Sequence, residues 1–195
     1  LAFGELQTAW RQLTGTELPV TCSVQEHSLV IGTKNSKLIQ PFGLGKELQV
    51  LGNEGFIIRT MKHQGKDCLV LASEGETGVL YAVFNLLRIV QTALPFPPSM
   101  DEKEKPAYKV RVLNHWDNPD GTIERGYAGH SLWKWEDLPG KLSPRYIEYA
   151  RANASIGING TVLNNVNASP EILSTAYLQK VKALAEVFRP YGIHV

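Results

Sequence analysis

The stretch VLNHWDNPDGTIERGYAGHSLWKW, residues 112–135, concentrates aromatic, acidic and amide side chains directly after a short apolar run. It contains three tryptophans and two histidines. A simple connector would be small and polar, because ordering large aromatic side chains costs conformational entropy that only burial or a bound ligand returns. The stretch therefore predicts a loop that holds something in place, either its own packed interior or a ligand.

Trp116 is the first candidate for ligand contact, since it lies just after the apolar run. The face of an indole ring suits the C–H surface of a sugar, and the neighbouring Asp117 and Asn118 can bond hydroxyl groups. The alternative is that Trp116, Trp133 and Trp135 pack the loop against neighbouring helices. Packing is the commoner role for any one of them, yet we expect at least one of the three to touch a ligand.

Glu124 and Arg125, with Asp117 and Asp120 nearby, form the second candidate group. Carboxylates near the end of a strand are what acid–base hydrolysis of a glycosidic bond requires. The forked guanidinium of Arg125 is also suited to bind a substrate carboxylate. The alternative is an ion pair from Arg125 to Asp117 that only pins a long loop.

The segment LNNVNAS supplies the third candidate group, Asn164, Asn165 and Asn167. Amide side chains carry both donors and acceptors, which fits recognition of carbohydrate hydroxyls. The alternative is that they satisfy backbone groups in the turn after a strand. The histidines show no HxxxH or HxH spacing, and no GxGxxG or P-loop motif is present, so we predict no metal site and no cofactor.

The bulk composition excludes several classes of protein. With 195 residues, 43% of them apolar, and a net charge of +1, the chain fits a globular protein without the basic field that nucleic-acid binding requires. No apolar stretch reaches the roughly 20 residues that span a bilayer, so no membrane partner is expected. No signal peptide is visible, and the compartment stays open between periplasmic or secreted and cytoplasmic. Cys22 and Cys68 lie in apolar runs and are predicted to be buried thiols.

The N-terminal half predicts helices and strands in one α/β domain. Apolar residues from Phe3 to Leu13 recur at helical spacing, and SLVIGT reads as a short strand. Two β-rich runs flank residues 63–66 as a hairpin, and an amphipathic helix follows in GETGVLYAVFNLLRIVQ. A hairpin covered by such helices predicts a two-layer domain. The proline-rich and charged segment LPFPPSMDEKEKPAY predicts extended, solvated chain with a domain boundary near residue 100.

The C-terminal half predicts the order β-α-β-α-β. YKVRVLNHW, GTVLNN and IHV read as strands, and two helices between them open at Ser143–Pro144 and Ser169–Pro170. This order fits either the start of a doubly wound sheet or the first three strands of a (β/α)8 barrel. The chain has no initiator methionine and stops at the opening of the third strand, so we expect it to be cut from a longer chain.

Three segments together resemble the start of the catalytic barrel in family-67 α-glucuronidases: VRVLNHWDNPDGTIERGYAGHSLWKW, YARANASIGINGTVLNNVNA and FRPYGI. They cover most of residues 109–195. Upstream, EGFIIRT and DCLVLASEGETGVLYAVFNLLRIVQ resemble the N-terminal α/β domain of that family, which also precedes the barrel in β-hexosaminidases.

The resemblance implies an N-terminal two-layer α+β domain at residues 1–100 and a truncated (β/α)8 barrel at residues 101–195. It implies hydrolysis, with inversion, of the α-1,2 bond between glucuronic acid, or its 4-O-methyl ether, and xylose in xylan oligosaccharides. The partner would be a glucuronic-acid-substituted xylo-oligosaccharide, and a homodimer fits the full-length enzyme. The catalytic acid and base are expected beyond Val195, so none is assigned here. Substrate-pocket or supporting roles fall on the matching positions Trp116, Asp117, Glu124, Arg125, Asn164 and Asn165.

Two other functions stay open at this point. A non-catalytic carbohydrate-binding module would use the tryptophan-rich loop as a stacking platform, although such modules normally present aromatic residues on a sheet face. A β-hexosaminidase shares the two-domain plan, but the stretch NHWDNPDGTIERGYAG argues against it.

Overall fold

The computed structural model describes residues 1–92 and 95–195, and the chain falls into two compact units, Leu1–Ala107 and Tyr108–Val195. The sequence predicts a boundary near residue 100, and the observed division lies a few residues later. Leu94, with which the predicted linker begins, lies outside the described residues.

The first unit is built on a four-stranded sheet with the order β1-β3-β2-β4. β1 runs parallel to β3, and β2 is antiparallel to both of its neighbours. Its elements are α1 (Ala2–Thr14), β1 (Ser28–Thr33), α2 (Gly45–Leu51), β2 (Phe56–His63), β3 (Lys66–Ser73), α3 (Glu76–Thr92) and β4 (Asp101–Glu104). A 3-10 turn at Gln40–Phe42 precedes α2.

The predicted hairpin is confirmed as β2 and β3, joined by only two residues. Gln64 and Gly65 both have positive φ, 51° and 81°. This is the conformation of the tight turn whose twist matches the twist of the flanking strands. The turn fixes the register from His63 opposite Lys66 to Phe56 opposite Ser73.

Helices cover both faces of the sheet, so the prediction of a two-layer arrangement needs correction. On one face, Leu44 at the N-cap of α2 and Leu48 within it pack in one cluster with Ile57 and Val70, and no sequence pattern predicted this helix. Leu71 is also fully buried, and it alternates with Val70 along β3, so it faces the other side. The long helix α3 packs on that side and carries α1 on its outer surface.

The charged segment Asp101–Glu104 forms the edge strand β4, where the sequence predicts a solvated linker. All four side chains are exposed. The segment pairs with β2 because β2 offers unpaired backbone groups there, from Arg59 opposite Asp101 to Phe56 opposite Glu104. The Arg59 guanidinium, between Asp101 at 2.5 Å and Glu47 at 3.1 Å, ties the strand to α2.

The cysteines differ in burial. Cys68 is buried in β3 as predicted, but Cys22 is exposed, and both are free thiols. The prediction was wrong for Cys22 because the apolar residues around it lie in irregular chain between α1 and β1 rather than in a strand.

The second unit follows the predicted order of strands and helices. It contains β5 (Val112–Asn114), α4 (Pro144–Ser155), β6 (Gly160–Val162) and α5 (Thr175–Phe188), with 3-10 turns at Pro170–Leu173 and Arg189–Tyr191. β5 and β6 are parallel, and His194 adds a single parallel bridge to Gly160. The third predicted strand is thus present only as this bridge within the described residues.

Serine side chains cap both helices of this unit. Ser143 accepts a hydrogen bond from the Arg145 N–H and begins α4 as predicted. The prediction for α5 needs correction, because Ser169 caps only the 3-10 turn and Ser174 caps the helix itself by accepting from the Tyr177 N–H. A second serine five residues along the chain offers the better N-cap.

The described parts of the chain, residues 1–92 and 95–195, include no helix that is both long and apolar enough to cross a membrane.

Candidate functional site

The candidate loop, residues 115–135, leaves the C-terminal end of β5 and is folded on itself. The His115 N–H donates to the Val162 carbonyl at 2.9 Å, which extends the β5–β6 ladder by one bond. Antiparallel bridges join Asp117 to Ile123 and Thr122 to His130. The predicted loop is therefore a small, hydrogen-bonded structure at the end of two parallel strands.

Asp117 is the buried anchor of this loop, with 2% of its surface exposed. Its Oδ2 accepts a hydrogen bond from the Ser131 hydroxyl at 2.5 Å, and its carbonyl accepts from the Asn165 N–H at 2.7 Å. Asp117 thus joins the loop after β5 to the turn after β6. The alternative of an Arg125–Asp117 ion pair is not observed, because the Asp117 carboxylate faces inward to Ser131 and His115 while Arg125 is exposed.

Trp116, Glu124 and Arg125 are the candidates of this loop with access to solvent. Trp116 is 40% exposed, Glu124 is half-buried and Arg125 is exposed. The Glu124 N–H donates to the Trp116 carbonyl at 2.8 Å, so these residues are neighbours in space as well as candidates by type. Glu124 also has a φ of 59°, an unusual value for a residue other than glycine.

The asparagines divide between the two expected roles. Asn165 is 7% exposed, and its Oδ1 accepts a hydrogen bond from the Asn167 N–H at 2.9 Å. Its side chain thus has the alternative role, in which it satisfies a backbone group of the turn after the strand. Asn164 is half-buried, and its Oδ1 accepts from the Tyr177 hydroxyl at a long 3.4 Å. Asn164 is therefore the only one of these two whose amide keeps access to solvent.

Trp133 and Trp135 take the packing role. They are 1% and 2% exposed. The Trp133 ring lies 5.2 Å from Tyr149 and 5.8 Å from Phe188, between centroids, and the Trp135 ring lies 4.5 Å from Tyr177. The loop is thus fastened to α4 and α5 by two of its tryptophans and presents the third, Trp116, to solvent.

A polar chain that sequence reasoning missed runs beneath the loop. His115 Nε2 lies 2.8 Å from the Tyr149 hydroxyl, which lies 2.9 Å from the Thr161 hydroxyl on β6. Burial lowers the pKa of His115 below its ordinary value, an effect that the Asp117 carboxylate opposes. Burial also raises the pKa of Tyr149. His115 is accordingly a neutral hydrogen-bonding group at pH 7.

We expect His115 to make the second unit less stable as pH falls. The folded chain resists protonation of this residue, whereas in the unfolded chain it takes up a proton near its ordinary pKa of 6.5. The contribution of His115 to the free energy of unfolding is therefore fully present above that value, and it is lost as the pH falls below it. Urea midpoints measured between about pH 7.5 and pH 5.5 should fall more steeply for the native protein than for His115→Gln, which keeps a partner for Tyr149. Parallel slopes for the two proteins would contradict the assignment.

A surface cavity of about 620 Å³ adjoins the loop on the side of α5. It combines three carboxylates with lysine, histidine and aromatic groups, and Lys180 donates to the Trp135 carbonyl at 2.7 Å. None of the six predicted site residues lines it. Its lining consists of Pro119, Asp120, Gly121, His130, Ser131, Trp133, Lys134, Trp135, Glu136, Glu171, Tyr177 and Lys180. Within residues 1–92 and 95–195, no group of three or more histidine, cysteine, aspartate or glutamate side chains is placed to hold a metal ion.

Two family models match the chain. The glycosyl hydrolase family 67 N-terminus matches residues 1–86, and the glycosyl hydrolase family 67 middle domain matches residues 92–195. Together the two matches cover both units.

Curated relatives agree with the family models. The chain is 35% identical to a probable alpha-glucuronidase A of Aspergillus terreus over all of its length, which is 23% of that protein. It is equally similar to the corresponding protein of Aspergillus oryzae, with 98% of the chain and 22% of that protein covered. Over 67% of the chain and 16% of the other protein, it is 35% identical to alpha-glucuronidase A of Emericella nidulans. The chain thus spans about a quarter or less of the curated relatives it matches.

Solved structures share the fold at low sequence identity. A family GH115 4-O-methyl-alpha-glucuronidase with specificity for decorated arabinogalactans matches with a TM-score of 0.64 and 16% identity, over 98% of this chain and 26% of that one. A GH138 enzyme targeting pectin rhamnogalacturonan II matches with a TM-score of 0.59 and 15% identity, over 98% of this chain and 22% of that one. Such low identities establish a common mixed α/β fold and nothing further.

Proposed function

The chain belongs to glycosyl hydrolase family 67, and from that premise we propose that it is the N-terminal part of an α-glucuronidase. The enzyme would hydrolyse the α-1,2 bond that links glucuronic acid, or its 4-O-methyl ether, to xylose in xylan oligosaccharides. The names of the curated relatives support the activity, and the resemblance of residues 109–195 supports the substrate.

The observation that carries the proposal is that Trp116 and Arg125 are both exposed in the loop after β5, and that the Trp116 carbonyl binds the N–H of Glu124, the residue before Arg125. Among the described residues, Arg125 forms no ion pair, so its guanidinium is free to bind an anion from solution. An exposed guanidinium fork and an exposed indole face in one loop together suit a sugar that carries a carboxylate. A neutral sugar has no carboxylate for the guanidinium to bind, so its recognition would not require the two groups together.

The six predicted residues would then divide into two sets. In the first, Arg125 binds the uronic carboxylate, Trp116 packs on the sugar ring, and Glu124 and Asn164 accept or donate bonds to hydroxyls. In the second, Asp117 and Asn165 support these residues from below, because both are buried and hydrogen-bonded within the unit.

The reaction itself would depend on residues beyond Val195. An inverting hydrolase needs an acid and a base about 6.5–9.5 Å apart, so that a water molecule fits between the base and the sugar. We place β5 and β6 as the first strands of a (β/α)8 barrel, whose binding loops follow the C-terminal ends of its strands. Exposed apolar residues on these strands, Val112 at 46% and Val162 at 43%, support a neighbour of that kind. A homodimer of the full-length enzyme stays a prediction from the resemblance.

The substrate assignment can be tested on the complete enzyme with a matched pair of oligosaccharides. One is a xylo-oligosaccharide carrying glucuronic acid, and the other carries glucose obtained by reducing the same carboxyl group. We expect kcat/KM to be roughly 100-fold lower for the reduced compound, because a bidentate charge-assisted contact contributes about 3 kcal/mol. Proton NMR of the first product should show the β-anomer before mutarotation.

Two outcomes would contradict the proposal. Equal turnover of both oligosaccharides would remove the carboxylate as the recognised group, and cleavage of an N-acetylhexosaminide instead would favour the β-hexosaminidase alternative. A stacking module is disfavoured already, since Trp133 and Trp135 are buried and only one loop tryptophan is exposed. Calorimetry with unsubstituted xylo-oligosaccharides would detect such a platform as binding without the uronic acid.

A further inference from the structure

We propose that Asn118 is a positioning residue that fixes Glu124 and Arg125 in the orientation in which they meet the substrate. Asn118 was considered above only as a residue that bonds hydroxyls, and the structure directs its amide inward. This inference rests on the proposed function, because it assumes that the Glu124–Arg125 pair contacts the sugar.

The Asn118 side chain donates both of its amide hydrogens to acceptors within the loop. Its Nδ2 donates to the Glu124 carbonyl at 2.7 Å and to the Thr122 hydroxyl oxygen at 3.0 Å. Its own N–H donates to the Thr122 carbonyl at 2.8 Å. Asn118 therefore connects the two arms of the small antiparallel structure and ends on the residue that precedes Arg125.

Only a donor fits at this position. The Thr122 hydroxyl lies 2.7 Å from Asp120 Oδ1, to which it must give its hydrogen, since a carboxylate cannot donate. The Thr122 oxygen is then left as an acceptor, as is the Glu124 carbonyl. An amide NH2 satisfies both, whereas an aspartate of the same shape would face two acceptors with no hydrogen to offer.

Glu124 needs such support because of its backbone. At a φ of 59° it is in the left-handed region, which a residue with a Cβ adopts only when its surroundings hold it there. Its N–H is held by the Trp116 carbonyl at 2.8 Å and its carbonyl by Asn118. The peptide that leads into Arg125 is held by these two bonds, which fixes the point at which the Arg125 side chain leaves the loop.

The test uses Asn118→Ala and Asn118→Asp in the complete enzyme, with Arg125→Gln as the reference variant. We expect both Asn118 variants to raise KM for the glucuronic-acid substrate roughly 10-fold with kcat within about twofold, since a contact made equally in the ground and transition states affects KM alone. Asn118→Asp tests the donor at constant shape, and Asn118→Ala tests it without an added charge. The decisive measurement is the double variant, Asn118→Ala with Arg125→Gln, whose KM should exceed that of Arg125→Gln by clearly less than the roughly 10-fold effect of Asn118→Ala alone, because Asn118 acts in part through Arg125.

The outcomes separate the inference from the proposed function. An unchanged KM in both Asn118 variants, or effects that multiply fully in the double variant, would overturn the positioning role while the increase in KM for Arg125→Gln leaves the proposed function standing. An unchanged KM for Arg125→Gln would instead overturn the uronic-acid contact, and with it the role of Asn118. A purely structural role would lower the melting temperature of the Asn118 variants without a selective change in KM, which also counts against the inference.

Discussion

Replacing Trp133 with alanine is expected to lower the free energy of unfolding of the second unit by about 3–5 kcal/mol, the usual cost of truncating a buried aromatic residue. Trp133 is 1% exposed, and its ring packs among Tyr146, Tyr149, Phe188 and His115 at centroid distances of 5.2–5.8 Å. Alanine would leave a cavity at the place where the loop meets α4 and α5. Urea denaturation, with hydrogen exchange of the amides of α4 and α5 to locate the loss, measures the effect.

Trp116→Ala is the matched control, because it makes the same substitution in the same loop at a side chain that is 40% exposed. We expect it to cost no more than about 1 kcal/mol of stability, in line with surface substitutions, while it weakens substrate binding. Trp133→Phe adds a second control. Within the described residues, the Trp133 indole N–H has no hydrogen-bond partner, so phenylalanine loses volume but no bond. Similar losses for the exposed and the buried tryptophan would contradict this division of roles.

Gly78→Ala is expected to destabilise the first unit by about 3 kcal/mol, the upper part of the usual range for overpacking. A Cβ on Gly78, in the first turn of α3, would lie 2.6 Å from the Gly55 carbonyl oxygen and 2.8 Å from Ser73 Cβ, and it would overlap the Ser73 hydroxyl. That hydroxyl donates to the same Gly55 carbonyl at 2.6 Å and is fully buried. The helix must move away from the sheet, or the bond must break. Thermal unfolding followed by circular dichroism would report the loss.

Gly4→Ala makes the same chemical change in the helix α1, where the added Cβ would meet no atom within 4 Å in the described part of the chain, other than its chain neighbours and the backbone of its own helix. Alanine should there raise stability by about 0.5–1 kcal/mol, because it restricts the unfolded chain and favours the helix. The two substitutions are thus expected to have opposite signs. A gain from Gly78→Ala would show that α3 does not approach the sheet this closely.

The sequence predicted those elements of the first unit whose characteristic residues lie close together along the chain. The two-residue turn at Gln64–Gly65 and the apolar stripe of α3 are of this kind, and both are confirmed. The helix α2 was missed because its seven residues show only two buried positions, Leu48 and Leu51, too few to establish a period. β4 was missed because its charged residues resemble solvated chain, and only the free edge of β2 makes them a strand.

The candidate loop was predicted by composition, but the roles of its residues were not predictable in the same way. The position of Trp116 after the strand made it the first candidate, but the sequence does not show that Trp133 is buried, because the rings that bury it come from α4 and α5. The partner of Asp117 is likewise Ser131, 14 positions away, rather than Arg125, which charge alone suggests. Contacts of this kind depend on how the chain returns to itself, which a linear pattern does not contain.

The exposed charges of β4 have a consequence for how molecules of this protein meet one another. A strand at the margin of a sheet offers a row of free N–H and C=O groups that a second polypeptide can extend into an aggregate. Here the four-residue margin Asp101–Glu104 carries a charge on every side chain, and an incoming chain would have to strip water from each of them. This rim of the sheet therefore resists edge-to-edge association between copies, even though its backbone is open to pairing.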